Sequence, residues 1–165
     1  MASTELFQLA ETVLKSAEAK GIIIATAESC TGGLIAGALT EVPGSSTVFE
    51  RGFVTYSNEA KTELVGVPAD LIARHGAVSG EVARAMAHGA ITHSRAQLAV
   101  AVTGVAGPGG GSAQKPVGLV WFGLAMQGRE PVSSKQVFAD EGRSHIRNEA
   151  VAEALSLLQD AVSAG

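Results

Sequence analysis

With a single cysteine, Cys30, the chain can form neither an internal disulfide framework nor a zinc site made of cysteines. Its four histidines show no metal-ligand spacing, and His88 and His93, five apart, fall on different faces of a helix. Aromatic residues are only 4% of the sequence, so the core has to be assembled from Ala, Val, Leu and Ile. Apolar runs are short, and none approaches the roughly 20 residues that a membrane-spanning helix needs. With a net charge of −4 and no basic stripe, the chain lacks the clustered Lys and Arg that grip a nucleic-acid backbone. The amino-terminal "MASTELFQLAETVLKSAEAKG" carries acids where a secretory signal would be basic and then apolar. These absences leave the expectation of a cytoplasmic protein, with residues 1–165 as one domain, holding no metal and binding neither nucleic acid nor membrane.

What is present alternates between helical and strand-like patterns. Leu6, Leu9, Val13 and Ala17 recur at helical spacing up to Gly21, which predicts a first helix from Ser3 or Thr4. "IIIATA" (22–27) and "QLAVAVTG" (97–104) read as strands buried on both faces. A helix is expected to open near Thr31. "STVFERGFVTYS" is strand-like, with Gly52 as a bulge or break. "NEAKTELVG" predicts a short helix capped by Asn58, and "VPADLIARHG" another with Pro68 at its first position. A longer helix is expected over "SGEVARAMAHGAITHS", then an antiparallel pair, "LVWFGLAM" and "PVSSKQVFA". A last helix from about Glu141 to Val162 turns Ile146, Ala150, Ala154 and Leu158 inward. Alternating elements with both strand types predict a layered α/β/α domain with a mixed sheet.

The chemistry belongs at the strand ends, where α/β domains carry their sites. "TAESCTGG" ends a strand and leads through Glu28, Ser29, Cys30 and Thr31 to two glycines, where backbone N–H groups suit an anion; equally, Ser29 or Thr31 is a plain cap, and Cys30 a buried inert thiol. "TGVAGPGGG" is neither a P-loop nor GxGxxG, yet Thr103 and its glycines face a strand end. In "GSSTVFERGFVTYSNEAK" a serine needs a base, and Lys61 is a base only when neutral. Moving an amine from about 10.4 to ~7.5 costs about 4 kcal/mol, of which the helix dipole supplies only ~0.3–1. Burial must do the rest; otherwise Tyr56 is strand packing and Lys61 a solvated side chain. Arg143 and Arg147, near the start of the last helix, suit a carboxylate or phosphate.

Taken together and in order, "TAESCTGG", "GSSTVFERGFVTYSNEAK", "HGAVS" and "TGVAGPGGGSAQKPVG" resemble the CinA C-terminal domain family over essentially the whole chain. The family's stand-alone members are nicotinamide-nucleotide amidases, and the resemblance implies the stand-alone form. It implies hydrolysis of nicotinamide mononucleotide to nicotinate mononucleotide and ammonia, in NAD recycling, with no cofactor. By the same resemblance Ser46 matches the nucleophile, Lys61 the base, Tyr56 its neighbour and Thr103 a catalytic threonine. Ser29 and Arg143 match substrate-holding residues, and the segments bearing Thr31, Gly32, Gly107 and Gly109 would receive the ribose phosphate. Near the last helix "DEGRSHIR" stands where the family often shows Gly-Asp-Arg. The family is also linked to competence and DNA damage, so a non-catalytic nucleotide-binding or interaction module is the alternative. A homo-oligomer, such as a dimer, is expected.

Overall fold

The computed structural model describes residues 3–165. In chain order these form α1 (Ser3–Lys20), β1 (Ile24–Glu28), α2 (Leu34–Thr40), a 3₁₀ turn (Ser45–Thr47), β2 (Phe49–Val54), α3 (Asn58–Val65), α4 (Ala69–His75), α5 (Gly80–Thr92), β3 (Leu98–Gly104), β4 (Leu119–Met126), β5 (Val132–Val137) and α6 (Arg143–Ala164). The strands make one five-stranded sheet in the order β2-β1-β3-β4-β5. β1 runs parallel to both β2 and β3, whereas β4 and β5 are antiparallel. The mixed α/β architecture read from the sequence is therefore the one observed. Among the described residues no helix is long and apolar enough to cross a membrane.

Strand alternation sorts the core into two halves. Ile24, Leu98, Val100 and Val102 face α1, α2 and α6. Ala25, Ala27, Ala99 and Ala101 face the side of α5. The alanine face lets α5 lie very close to the sheet: a Cβ on Gly123 of β4 would overlap the Ala83 carbonyl of α5. Close approach of small side chains replaces the bulk that aromatics would otherwise provide. On α6, Ile146, Ala150, Ala154 and Leu158 are fully buried, as their spacing predicted.

Several local expectations are corrected. α2 begins at Leu34 rather than near Thr31, because residues 30–33 turn first, with Gly32 and Gly33 at positive φ. Ser57, not Asn58, caps α3, accepting from Ala60 N; Lys61 is thus the fourth helical residue. Pro68 is the cap of α4 rather than its first residue. Gly52 is neither bulge nor break. The register slips between Ile24 and Ala25, opposite Glu50, while Gly52 is where β2 nears β1: a Cβ there would lie 2.7 Å from Thr26 Oγ1.

Candidate active site

The same alternation that divides the core builds the site. Continuing the odd-numbered face of β1 past Ala25 and Ala27 leads to Ser29, and the odd face of β3 leads past Ala99 and Ala101 to Thr103. Both therefore emerge at the carboxyl end of the sheet, on the side covered by α3 and α5. There a cavity of about 220 Å³ is lined by Ser29, Cys30, Tyr56, Asn58, Lys61, Ala77, Val78, Thr103, Gly104, Ala106 and Arg143. Larger grooves exist, such as the 710 Å³ one between α1, α2 and α6, but its polar lining of Ser3, Thr4, Glu41 and Asn148 holds neither a lysine nor an arginine.

Lys61 is the centre of the cavity's polar wall. It is 1% exposed, and its Nζ lies 3.1 Å from Ser29 Oγ, 2.9 Å from Thr55 O, 3.2 Å from Tyr56 O and 3.4 Å from Ser57 O. Desolvation pushes its pKa below the ordinary amine range. Negative charge at Cys30 and Glu59 would pull it back up, and so would the peptide oxygens, which favour an ammonium. Cys30, however, is itself buried, and desolvation raises its thiol to about 11. It stays protonated at neutral pH and carries no charge toward Lys61, which also removes it as a nucleophile. Here Lys61 Nζ donates to Ser29 Oγ, and the Ser29 hydroxyl donates to Tyr56 O at 3.4 Å; turning that hydroxyl toward Nζ would give its proton to the lone pair of a neutral Lys61.

Tyr56 is exposed, and its hydroxyl accepts from Arg143 Nη2 at 3.0 Å. Arg143 Nη1 donates to Gly107 O at 2.7 Å, so this one guanidinium spans the cavity mouth from the β2–α3 connection to the glycine-rich loop. Thr103 Oγ1 donates to Ala77 O at 2.9 Å; its proton is committed to the wall of the cavity. This explains the "HGAVS" motif, which supplies that carbonyl and, through Ser79, the cap of α5.

The structure thus gathers Ser29, Cys30, Tyr56, Lys61, Thr103 and Arg143 and leaves Thr31, Gly32, Ser46, Gly107, Gly109 and Arg147 outside the lining. Thr31 is buried and its hydroxyl donates to Glu28 Oε1 at 2.7 Å; Gly32 and Gly109 are exposed. Gly107 contributes its carbonyl to Arg143. Ser46 is exposed in the 3₁₀ turn ahead of β2, whereas Tyr56 and Lys61 follow its far end. A six-residue strand, about 20 Å at ~3.3 Å per residue, separates the two within one chain. Lys61 instead meets Ser29, a pairing that sequence order hides because the two are 32 positions apart. Glu28, part of the same strand-end motif, has a role that its place in the sequence does not specify. Its signal is a carboxylate closing a strand otherwise built of Ile, Ala and Thr: 1% exposed, it accepts from Ile35 N at 2.8 Å and Ala36 N at 2.9 Å. It thereby caps α2, which has no side-chain cap of its own.

Comparison with known proteins agrees with these motifs. Residues 6–162 match the CinA C-terminal domain. The chain is 48% identical over 158 residues to "Nicotinamide-nucleotide amidohydrolase PncC" of Escherichia coli, covering 96% of this chain and 95% of that one. It is also 48% identical over 151 residues to a "Putative competence-damage inducible protein" of Caldicellulosiruptor bescii, covering 92% of this chain but 36% of that longer relative. The crystal structure of the competence/damage inducible protein CihA from Agrobacterium tumefaciens superposes with a TM-score of 0.93 at 47% identity, over 99% of this chain and 97% of that one. The chain belongs to the CinA C-terminal domain family.

Proposed function

We propose that this protein is a nicotinamide-nucleotide amidohydrolase that converts nicotinamide mononucleotide to nicotinate mononucleotide and ammonia, returning the product to NAD synthesis. The observation that carries the reading is a buried lysine amine 3.1 Å from a serine hydroxyl inside a cavity. The relatives that bear the amidohydrolase name support the substrate. At about 220 Å³ the cavity is below the ~300 Å³ at which drug-sized sites begin. It suits the pyridine ring and its carboxamide, with the ribose phosphate reaching outward to the exposed Arg143 guanidinium.

The mechanism is acyl transfer. Neutral Lys61 takes the hydroxyl proton as the serine oxygen attacks the carboxamide carbon. The amide C–N bond then breaks, the Lys61 proton passes to the leaving nitrogen, and ammonia departs. Water, deprotonated by Lys61, attacks the acyl-enzyme ester; the ester C–O bond breaks, the Lys61 proton returns to the serine oxygen, and nicotinate mononucleotide leaves. Within one chain Ser29 is the hydroxyl that Lys61 can reach. Ser46, which the family resemblance assigns as nucleophile, reaches a Lys61 only from a second copy. The edge position of β2 supports that second arrangement: antiparallel pairing of two β2 edges sets the head of one strand beside the tail of the other, bringing Ser46 toward the partner's cavity. The protein is accordingly proposed to act as a homodimer in the cytoplasm.

Ammonia release from nicotinamide mononucleotide, without added metal, tests the activity. Lys61→Ala is expected to abolish it, and loss in Ser29→Ala or in Ser46→Ala identifies the attacking hydroxyl. Binding of the nucleotide without turnover would instead favour the non-catalytic module.

A further inference from the structure

Arg147 follows Arg143 by one helical turn on α6, yet the two guanidiniums address different things. Arg143 is exposed and lines the cavity, whereas Arg147 is half-buried and does not. Arg147 Nε donates to Cys30 O at 3.0 Å and Nη2 to Thr31 O at 3.4 Å. Both oxygens belong to the loop that follows Ser29. Gly32 makes room for this contact: its φ is +57°, and a Cβ there would lie 3.2 Å from Arg147 Nη2. Glu28 holds the same loop from the other side through Thr31 Oγ1, Ile35 N and Ala36 N. The Glu28 carbonyl also accepts from Thr55 N at 2.8 Å, at the head of the segment whose peptide oxygens surround Lys61 Nζ. One clamp therefore grips the Ser29 loop and the Lys61 collar together.

We infer that Arg147 and Glu28 are positioning residues that set the approach of Ser29 to Lys61, and that Arg147 is not a ligand for the substrate's phosphate. The inference rests on the amidohydrolase reading of the cavity. Its physical basis is that proton transfer depends steeply on distance, and a displacement of about 1 Å can cost about a hundredfold in rate.

The test compares Arg147→Met, Arg147→Lys and Arg143→Met on nicotinamide mononucleotide and on nicotinamide riboside, which lacks the phosphate. Arg147→Met is expected to lower kcat between about tenfold and a hundredfold on both substrates, with KM changed by no more than about twofold. Arg147→Lys, which keeps a charged donor, is expected to recover part of the loss. Arg143→Met is expected to raise KM for the phosphorylated substrate alone. A second readout needs no turnover: in ¹⁵N-lysine-labelled protein the Lys61 side-chain resonance should move in Arg147→Met and Glu28→Gln and stay in place in Arg143→Met. A raised KM for the nucleotide with the riboside unaffected in Arg147→Met would make Arg147 a phosphate ligand and overturn the inference, as would an unmoved Lys61 resonance. A parent protein that releases no ammonia would sink the amidohydrolase reading alone, leaving the resonance to decide the clamp.

Discussion

A buried lysine is an expensive residue, and Lys61 is among the largest side chains with under 2% exposure in the described residues. Desolvation lowers its pKa in the folded state, while the unfolded chain titrates near 10.4. Between those two values the unfolded state binds more protons than the folded one, so the free energy of unfolding gains from rising pH across that window. Urea titrations over a pH series should therefore show parent stability climbing relative to Lys61→Met within the window, and a constant difference below it. The rate of ammonia release should rise over the same window as Lys61 loses its proton, and Lys61→Arg should be inactive because a guanidinium keeps its proton. Cys30 offers a complementary check: with its thiol at about 11, native protein at pH 8 should resist iodoacetamide and be alkylated only after denaturation. The sequence already marked Lys61 as out of place in the first turns of a helix. The identity of its neighbour was not legible, because the side-chain alternation of β1 and the fold of α3 jointly bring Ser29 to it.

Small residues let the elements approach, and glycines in helices show how position decides their effect. Gly89 lies inside α5, where alanine would normally be favoured by about 1 kcal/mol. A Cβ there would overlap the Val65 carbonyl of α3, and that is backbone that cannot swing aside. Gly89→Ala should cost about 1–3 kcal/mol net and disturb the helix that carries Lys61, visible as a lowered denaturation midpoint with reduced activity. Gly37 in α2 has nothing within 4 Å of its Cβ position and is exposed. Gly37→Ala should stabilise by about 0.5–1 kcal/mol without changing turnover. Both glycines look alike in the sequence as helix-interior residues. Only the α3–α5 crossing separates them.

Across the whole molecule the feature with the largest consequence is the free edge of β2. Ser46 precedes the strand and the cavity follows it, so Ser46 and Lys61 can cooperate only between copies. Mixing inactive chains tests this directly. In a symmetric dimer whose attacking hydroxyl is Ser46, Ser46→Ala co-assembled with Lys61→Ala should regain about a quarter of parent activity, since half the dimers are mixed and each holds one whole site. Ser29→Ala with Lys61→Ala should regain none, because those two residues meet within one chain. Recovery in the second pair, or full activity in Ser46→Ala alone, would reject a site shared through Ser46.

By itself the sequence determined the layered α/β class, the two buried strands, the inward face of α6 and the segments that hold the chemistry, because burial periodicity and turn glycines are local signals. Family motifs in order carried the amidase expectation, since a motif records residues whatever their distance apart. Tertiary structure alone decided which hydroxyl meets Lys61, that Thr103 is tied to Ala77, that Glu28 caps a helix from a neighbouring strand, and that Arg143 and Arg147 face different partners. Those are relations between chain segments tens of residues apart, and they exist only once the sheet has set which strand ends lie side by side.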